Sequence, residues 1–295
     1  MAVGEGELLR SEAMLVVMDY KGQYEKYNTE LGGDDFWNET DSDGRTYGDK
    51  VKNDFIWEEL TALTALNGMA AQDGVSLTTE EEKKAEEAGK AYFSTLSEEE
   101  KDYTGADEKT AVSLMKKYKL AQKEINFCVE GDEMEVSDEE TRVMEIQVIY
   151  LTDESWANQA YERVQNGEDF ATVASQMSSD PQVTYTVSRG ELNPSVENAV
   201  FQLESGEISP IIKAEQDFYI IKCLNDFDVS LSEENRTRIL ESKIYGAWAQ
   251  EMSEYISENP VYVNDWSWDA IDLEYVNGVD NDNLYSIYQE YLQEN

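Results

Sequence analysis

The sequence predicts an α+β fold, a mainly helical body into which a small α+β domain is inserted. Three observations lead there. Apolar residues recur at three- and four-residue steps through most of the chain up to about residue 130. Near Val143 that periodicity gives way to short β-branched and aromatic runs, and after Asp226 it returns. The expected organisation is a helical N-terminal domain over residues 1–140, an α+β domain over 141–227, and a C-terminal helix and tail over 228–295 that pack back on the first.

In the first predicted helix Ala13, Val16, Val17, Tyr20, Tyr24, Tyr27 and Leu31 form one apolar face. An acidic, glycine-rich loop follows from Gly32 to Gly48. Val51, Phe55, Ile56, Leu60 and Leu63 mark a second helix, ended by Gly74. Thr78 with Glu81 reads as a capping box opening a third helix through Ala85, Ala88, Tyr92 and Leu96, and Ser97 with Glu100 repeats it at a short helical turn. A fourth helix places Leu114, Tyr118, Ala121, Ile125 and Cys128 on one side, and Gly131 with the acids after it forms a linker.

Glu145–Leu151 is too short and too β-branched for a buried helix and reads as a strand. Two short helices follow, around Glu154–Gln165 and Asp169–Met177. Val183, Tyr185 and Val187 alternate with threonines, the pattern of an edge strand. Val196–Leu203 reads as a helix and Phe218–Leu224 as a central strand, so the order β-α-α-β-α-β describes a small α+β unit. Ser232 can cap a long helix running to about Glu258, with Leu240, Ile244, Trp248 and Tyr255 in a stripe. Beyond it lie a short strand at Pro260–Val263, a hydrophobic plug of Trp266, Trp268 and Ile271, and a terminal helix through Leu284, Ile287, Tyr288 and Tyr291.

Composition excludes whole classes of function. With 64 acidic and 23 basic residues the net charge is -41, which repels phosphate backbones and anionic lipid and argues against nucleic acid as a partner. Solubility is the first reading of such a surface, and attraction of basic, unfolded clients the alternative; charge alone does not choose between them. No histidine is present, which removes His-based metal sites, nucleophile–His pairs and imidazole acid–base catalysis together. No motif calls for a cofactor. The Asp41–Gly44 run has the start of a calcium loop but lacks its later Asp and closing Glu. Cys128 and Cys223 sit in apolar segments, with buried free thiols as the default reading and a disulfide as the alternative. No apolar run approaches the ~20 residues that span a bilayer. No signal peptide is visible, so the protein is either cytoplasmic or derived from a precursor whose export segment precedes residue 1.

Four segments, in order, carry a resemblance: "GEDFATVASQMSSD" (Gly167–Asp180), "RGEL" (Arg189–Leu192), "ENAVFQLESGEIS" (Glu197–Ser209) and "DFYIIK" (Asp217–Lys222). Together they resemble the parvulin family of peptidyl-prolyl isomerases, whose domain is an antiparallel sheet with short helices. The flanks, from "SEAMLVVMDYKGQYEKY" to the long helix after the module, are similar to the helical chaperone body of the PrsA and SurA foldases. The resemblance implies an extracytoplasmic protein of the cell envelope, touching the membrane only through a lipid anchor on a cysteine before residue 1. It implies unfolded or proline-containing exported polypeptides as partners.

Turning an X–Pro bond crosses a barrier of ~18–20 kcal/mol set by amide resonance. A parvulin lowers it without a covalent intermediate, by gripping the proline ring in an apolar cup and holding polar groups against the twisting amide. The family uses two neighbouring histidines, an Asp or Cys beside them, and a Met and Phe lining the cup. Carried over by position, the histidines fall on Val148 and Tyr219, the Asp/Cys on Asp180, and the cup phenylalanine on Val196; the methionine has no counterpart. The candidate catalytic residues are therefore Asp180 and Tyr219, and the candidate substrate-binding residues Val148, Val196 and Phe201. Asp180 before Pro181 is also a common turn-starting pair, Tyr219 equally suits a core strand, and Phe201 an apolar helix side. Three functions compete: a chaperone or holdase with weak or lost isomerase activity, an active prolyl isomerase with an altered pocket, and a scaffolding protein of the envelope.

Overall fold

In the computed structural model, residues 1–28, 36–130 and 134–293 are described. The chain divides into two units, Met1–Asp132 with Gly246–Asn295, and Glu133–Tyr245. The first unit is helical. It opens on a hairpin that the periodicity did not predict, β1 (Ala2–Val3) against β2 (Gly6–Glu7). A side chain on Gly6 would stand 2.0 Å from the Thr64 carbonyl oxygen, so only glycine lets the hairpin lie on the helix beneath it.

Helix α1 (Arg10–Asn28) buries Val16 and Val17, while Tyr27 is exposed and Leu31, with the loop from Gly32, lies outside the described residues up to Phe36. The short α2 (Tyr47–Lys50) passes through a π-helical turn, Val51–Ile56, into α3 (Trp57–Asp73). The extra residue of that turn shifts the helical phase and leaves Phe55 exposed beside buried Val51 and Ile56. Gly74 ends α3 in the left-handed region, at φ 75°.

Both capping boxes form: Thr78 with Glu81 opens α4 (Thr79–Thr95), and Ser97 with Glu100 opens α5 (Glu98–Thr104). A third, Asp107 with Thr110, opens α6 (Glu108–Cys128). Each satisfies amide groups that the first helical turn leaves without partners. The predicted stripe of Ala85, Ala88, Tyr92 and Leu96 is buried against Leu114, Met115 and Ala121 of α6. In the run from Asp41, that residue's carboxylate accepts the amides of Asp43 and Arg45, 2.9 and 3.1 Å, and so shapes a turn.

In the second unit α7 (Asp138–Thr141) leads into β3 (Val143–Leu151), followed by α8 (Glu154–Gln165), α9 (Phe170–Met177), β4 (Thr184–Ser188), α10 (Pro194–Val200), β5 (Ile212–Ala214) and β6 (Asp217–Asn225). The sheet is antiparallel throughout, in the order β4-β3-β6-β5. The edge and central strands stand as the alternation predicted; β5 is too short to have shown a pattern. Because side chains alternate, Met144, Ile146, Ile221 and Cys223 face α10 while Ile149, Leu151, Phe218 and Ile220 face α8 and α9. The sheet therefore has two apolar faces, as its β-branched runs require.

Helix α11 (Val229–Glu258) begins in the second unit and ends in the first. Asp228, not Ser232, caps it by accepting the Leu231 amide at 3.0 Å. Ser232 is buried instead, its hydroxyl accepting the Val143 amide at 3.0 Å. In the helical unit, Trp248, Met252 and Tyr255 pack on the core. Pro260–Val263 contributes one bridge, Tyr262 to Ala2, rather than a strand. The expected plug is split. Trp266, on α12 (Asp265–Asp269), is exposed; Trp268 lies edge-on to Trp57 at 5.1 Å, and Ile271 is buried. Helix α13 (Leu284–Leu292) closes the body, held by two buried lysines: Lys21 donates to the Val279 carbonyl at 2.7 Å and Lys119 to that of Leu292 at 3.1 Å. Cys128 and Cys223 are free and buried. Among the described residues no helix is long and apolar enough to cross a membrane.

Candidate functional site

The strand period that builds the second unit's core also builds a cup. Ile146, Val148 and Tyr150 of β3 alternate onto the same face as Tyr219 and Ile221 of β6 and Tyr185 and Val187 of β4. Leu192 and Val196 close one side and Asp180 stands on another, around a cavity of about 260 Å³. Four of the five residues singled out from the sequence, Val148, Asp180, Val196 and Tyr219, are thus brought together. Phe201 is not among the lining residues. It is 5% exposed, packed beside the cup in the core on the same α10 face of the sheet, with the Arg189 guanidinium 4.2 Å from its ring centre and that of Arg142 at 5.9 Å.

Asp180 is the one charged residue among those lining the cavity. Its loop is fixed from both sides. The Ser178 hydroxyl accepts the Asp180 amide at 3.2 Å and the Tyr150 amide at 3.1 Å, and the Ser179 amide donates to the Tyr150 carbonyl at 2.7 Å. The Asp180 carboxylate then accepts the Tyr185 hydroxyl at 2.6 Å and the Gln182 amide at 2.9 Å. These bonds, the Tyr185 bond foremost, hold its pKa below the ordinary carboxylate range. Burial, reinforced by Asp180, pushes the Tyr185 phenol up to about 12. Tyr219 pairs with Tyr150 across the strands, ring centres 5.2 Å apart, and its phenol is also raised, by burial first and then by the charge of Asp217. Both phenols stay protonated at neutral pH; Tyr185 spends its one hydrogen on Asp180, and Tyr219 keeps its own to donate.

Tyr185, Tyr150 and Leu192 were not among the residues singled out from the sequence. The signal for Tyr185 was present: it alternates with Val187 on the edge strand, so the two share a face, whereas Val183 lies before the strand and packs on the α8–α9 side. That this face is a cup follows only from the sheet order.

Residues 152–225, the segment that contains this cup's loops, α10 and β6, match the PPIC-type PPIase, or rotamase, domain. The second unit carries a parvulin-type rotamase domain. Around this rotamase domain the chain is similar to foldases. It is 29% identical over 195 residues to the foldase protein PrsA of Caldanaerobacter subterraneus subsp. tengcongensis, covering 64% of this chain and 61% of that one. It is 29% identical over 149 residues to foldase protein PrsA 3 of Bacillus anthracis, covering 45% and 52%. The chain thus spans between half and two thirds of these relatives. Among solved structures, a peptidylprolyl isomerase (PrsA) from Bacillus cereus aligns with a TM-score of 0.44 at 18% identity, over 87% of this chain and all of that one. The parvulin of Nitrosopumilus maritimus aligns at 0.26 with 27% identity, over 28% of this chain and 97% of its own. The match of the rotamase domain, rather than these superpositions, decides the assignment.

The cup thus combines an apolar basin of Val148, Val187, Val196 and Ile221, a phenolic donor on Tyr219, and one pinned carboxylate. None of these three shifted groups, Asp180, Tyr185 and Tyr219, titrates near neutrality, and the described residues contain no cluster suited to a metal ion.

Proposed function

We propose that this protein is an extracytoplasmic folding factor that acts mainly as a chaperone for exported polypeptides, with its rotamase domain binding proline-containing segments and isomerising them weakly. The observation that carries this reading is the polar side of the cup. Positions 148 and 219 hold Val and Tyr, so no paired imidazoles stand beside Asp180, while Val148, Val187, Val196 and Ile221 still form an apolar basin, with Val196 where the family has its phenylalanine. Binding then outlives catalysis: a cup that holds all forms of the X–Pro bond about equally gives affinity without acceleration. The net charge of -41 favours basic clients before they fold, an attraction that salt screens over ~8 Å at physiological strength. Residues 1–140 and 228–295 would supply the helical chaperone body, and a lipid anchor before residue 1 would supply the membrane attachment.

A second reading, an active isomerase with altered chemistry, is favoured by the Asp180–Tyr185 pair. An amide twists without proton transfer, so a carboxylate pinned by Tyr185 and a phenolic donor on Tyr219 could replace the imidazole network. One experiment separates the two: proline exchange in a peptide series measured beside aggregation suppression on the same sample. Suppression of a basic client's aggregation at low salt with near-background exchange supports the chaperone reading. Rapid exchange that disappears in Asp180→Ala establishes the enzyme.

A further inference from the structure

The helical unit holds a second cavity, of about 230 Å³, that the rotamase domain does not explain. Asp19 and Tyr20 of α1, Glu59 of α3, Tyr118 of α6, and Tyr285 and Tyr288 of α13 surround it. Its chemistry is that of an anionic aromatic cage. Asp19 is 5% exposed, and both its oxygens are fixed by neutral donors: the Leu284 amide at 2.9 Å and the Gln23 side-chain amide at 2.6 Å. The Glu59 carboxylate accepts the Tyr118 hydroxyl, and Tyr20 lines the cavity beside it. Tyr288 packs against Tyr118, ring centres 5.6 Å apart, and stacks with Tyr285 at 6.3 Å.

What is missing is a cation. None of the ion pairs among the described residues of this unit reaches Asp19 or Glu59, although buried carboxylates ordinarily find a Lys or Arg. Burial, with the charge of Glu59 adding to it, holds Asp19 at a pKa of about 6. The cavity sets buried Asp19 and half-buried Glu59 among four tyrosine rings, an arrangement that a positive charge would complete.

We propose that this cavity binds the ammonium or guanidinium head of a lysine or arginine side chain on a polypeptide client. The carboxylates accept its N–H groups, the phenol rings face its charge, and Val16 with Leu284 receive the methylene stem. The site is separate from the proline cup and stands whether or not that cup is catalytic. It gives the chain's diffuse negative charge one place where a basic side chain is recognised by shape.

The test is calorimetric titration of the full chain with N-acetyl-lysine-N-methylamide and its arginine counterpart. The norleucine analogue, which keeps the stem and lacks the charge, serves as control, and spermidine represents a free amine. The expected result is saturable binding of the lysine or arginine amide and none of norleucine. Glu59→Gln and Tyr285→Ala, the latter at a half-exposed ring, should each weaken binding at least fivefold; Glu80→Gln, a carboxylate on the exposed face of α4, should leave it unchanged, as should Asp180→Ala in the cup. Equal binding of norleucine, equal loss in Glu80→Gln, or undiminished binding in both cage variants overturns the proposal. Binding of spermidine without the amino-acid amides would assign the cage to free amines and overturn it as a client site.

Discussion

The Tyr185 hydroxyl donates to the Asp180 carboxylate at 2.6 Å, and this bond sets the polar side of the cup in the rotamase domain. It ties an edge-strand side chain to the loop after α9, and it consumes one of the carboxylate's lone pairs with a neutral, non-titrating donor. Removing it frees the carboxylate. In Tyr185→Phe the Asp180 pKa should rise toward its ordinary value, because a hydrogen bond to the charged form is lost while the Gln182 amide remains. Carboxyl-carbon NMR across an acid titration measures the shift. An unmoved pKa would mean that the backbone alone depresses it.

Exchange of Ala-Pro peptides should run near the uncatalysed rate. Every ~1.4 kcal/mol of stabilisation that the cup fails to give the twisted amide slows exchange about tenfold, and Val148 offers no hydrogen bond where the family has an imidazole. Exchange spectroscopy on a peptide series provides the measurement. Rates far above background that persist in Tyr219→Phe but vanish in Asp180→Ala would assign the catalysis to the carboxylate.

Asp19 couples the helical unit's stability to pH. Burial raises its pKa from the ordinary 3.8 to about 6, with Glu59 and Asp282 adding and the Leu284 and Gln23 bonds opposing. The folded state therefore holds this proton more tightly than the unfolded chain. The stabilising protonated form is fully present below about 4 and lost as pH rises through 6. Asp19→Asn should be stabilised relative to the parent at pH 7 by up to roughly 3 kcal/mol and by little at pH 4. Urea unfolding at the two pH values checks this; a difference independent of pH would show that Asp19 is not the titrating group.

Tyr92 is fully buried, and its hydroxyl finds no partner among the described residues. Tyr92→Phe removes the desolvated hydroxyl and keeps the ring, so stability should be unchanged or should rise by about 1 kcal/mol. A loss of that size in chemical denaturation would reveal a partner for the hydroxyl.

Gly6→Ala should be among the most damaging small substitutions. The new methyl group would stand 2.0 Å from the Thr64 carbonyl oxygen, which is α3 backbone and cannot turn aside, so the hairpin must lift. The expected cost is about 3 kcal/mol, from overpacking. Gly48→Ala, whose nearest neighbour is a carbonyl at 3.2 Å, should cost far less in the same thermal melts.

Much of this protein was legible in its sequence because the signals are local. Helices α4, α5 and α6 begin where a capping residue stands three places before its partner, and the stripe Ala85, Ala88, Tyr92 is buried because a helix repeats its faces regardless of what it meets. The short β-branched runs likewise marked β3 and β6 as strands, while the register between them is what puts Val148 and Tyr219 on one face. What only the tertiary structure decided depends on partners distant in sequence. Ser232 reads as a cap and is a buried acceptor for Val143; Trp266 reads as core and is exposed; Phe201 reads as a cup residue and lies behind two arginines. The Asp180–Tyr185 bond and the Asp19–Glu59 cage have no linear signature. A side chain's type fixes what it can bond, but the energy of the bond depends on distance and desolvation, and these arise only when separate strands or helices meet.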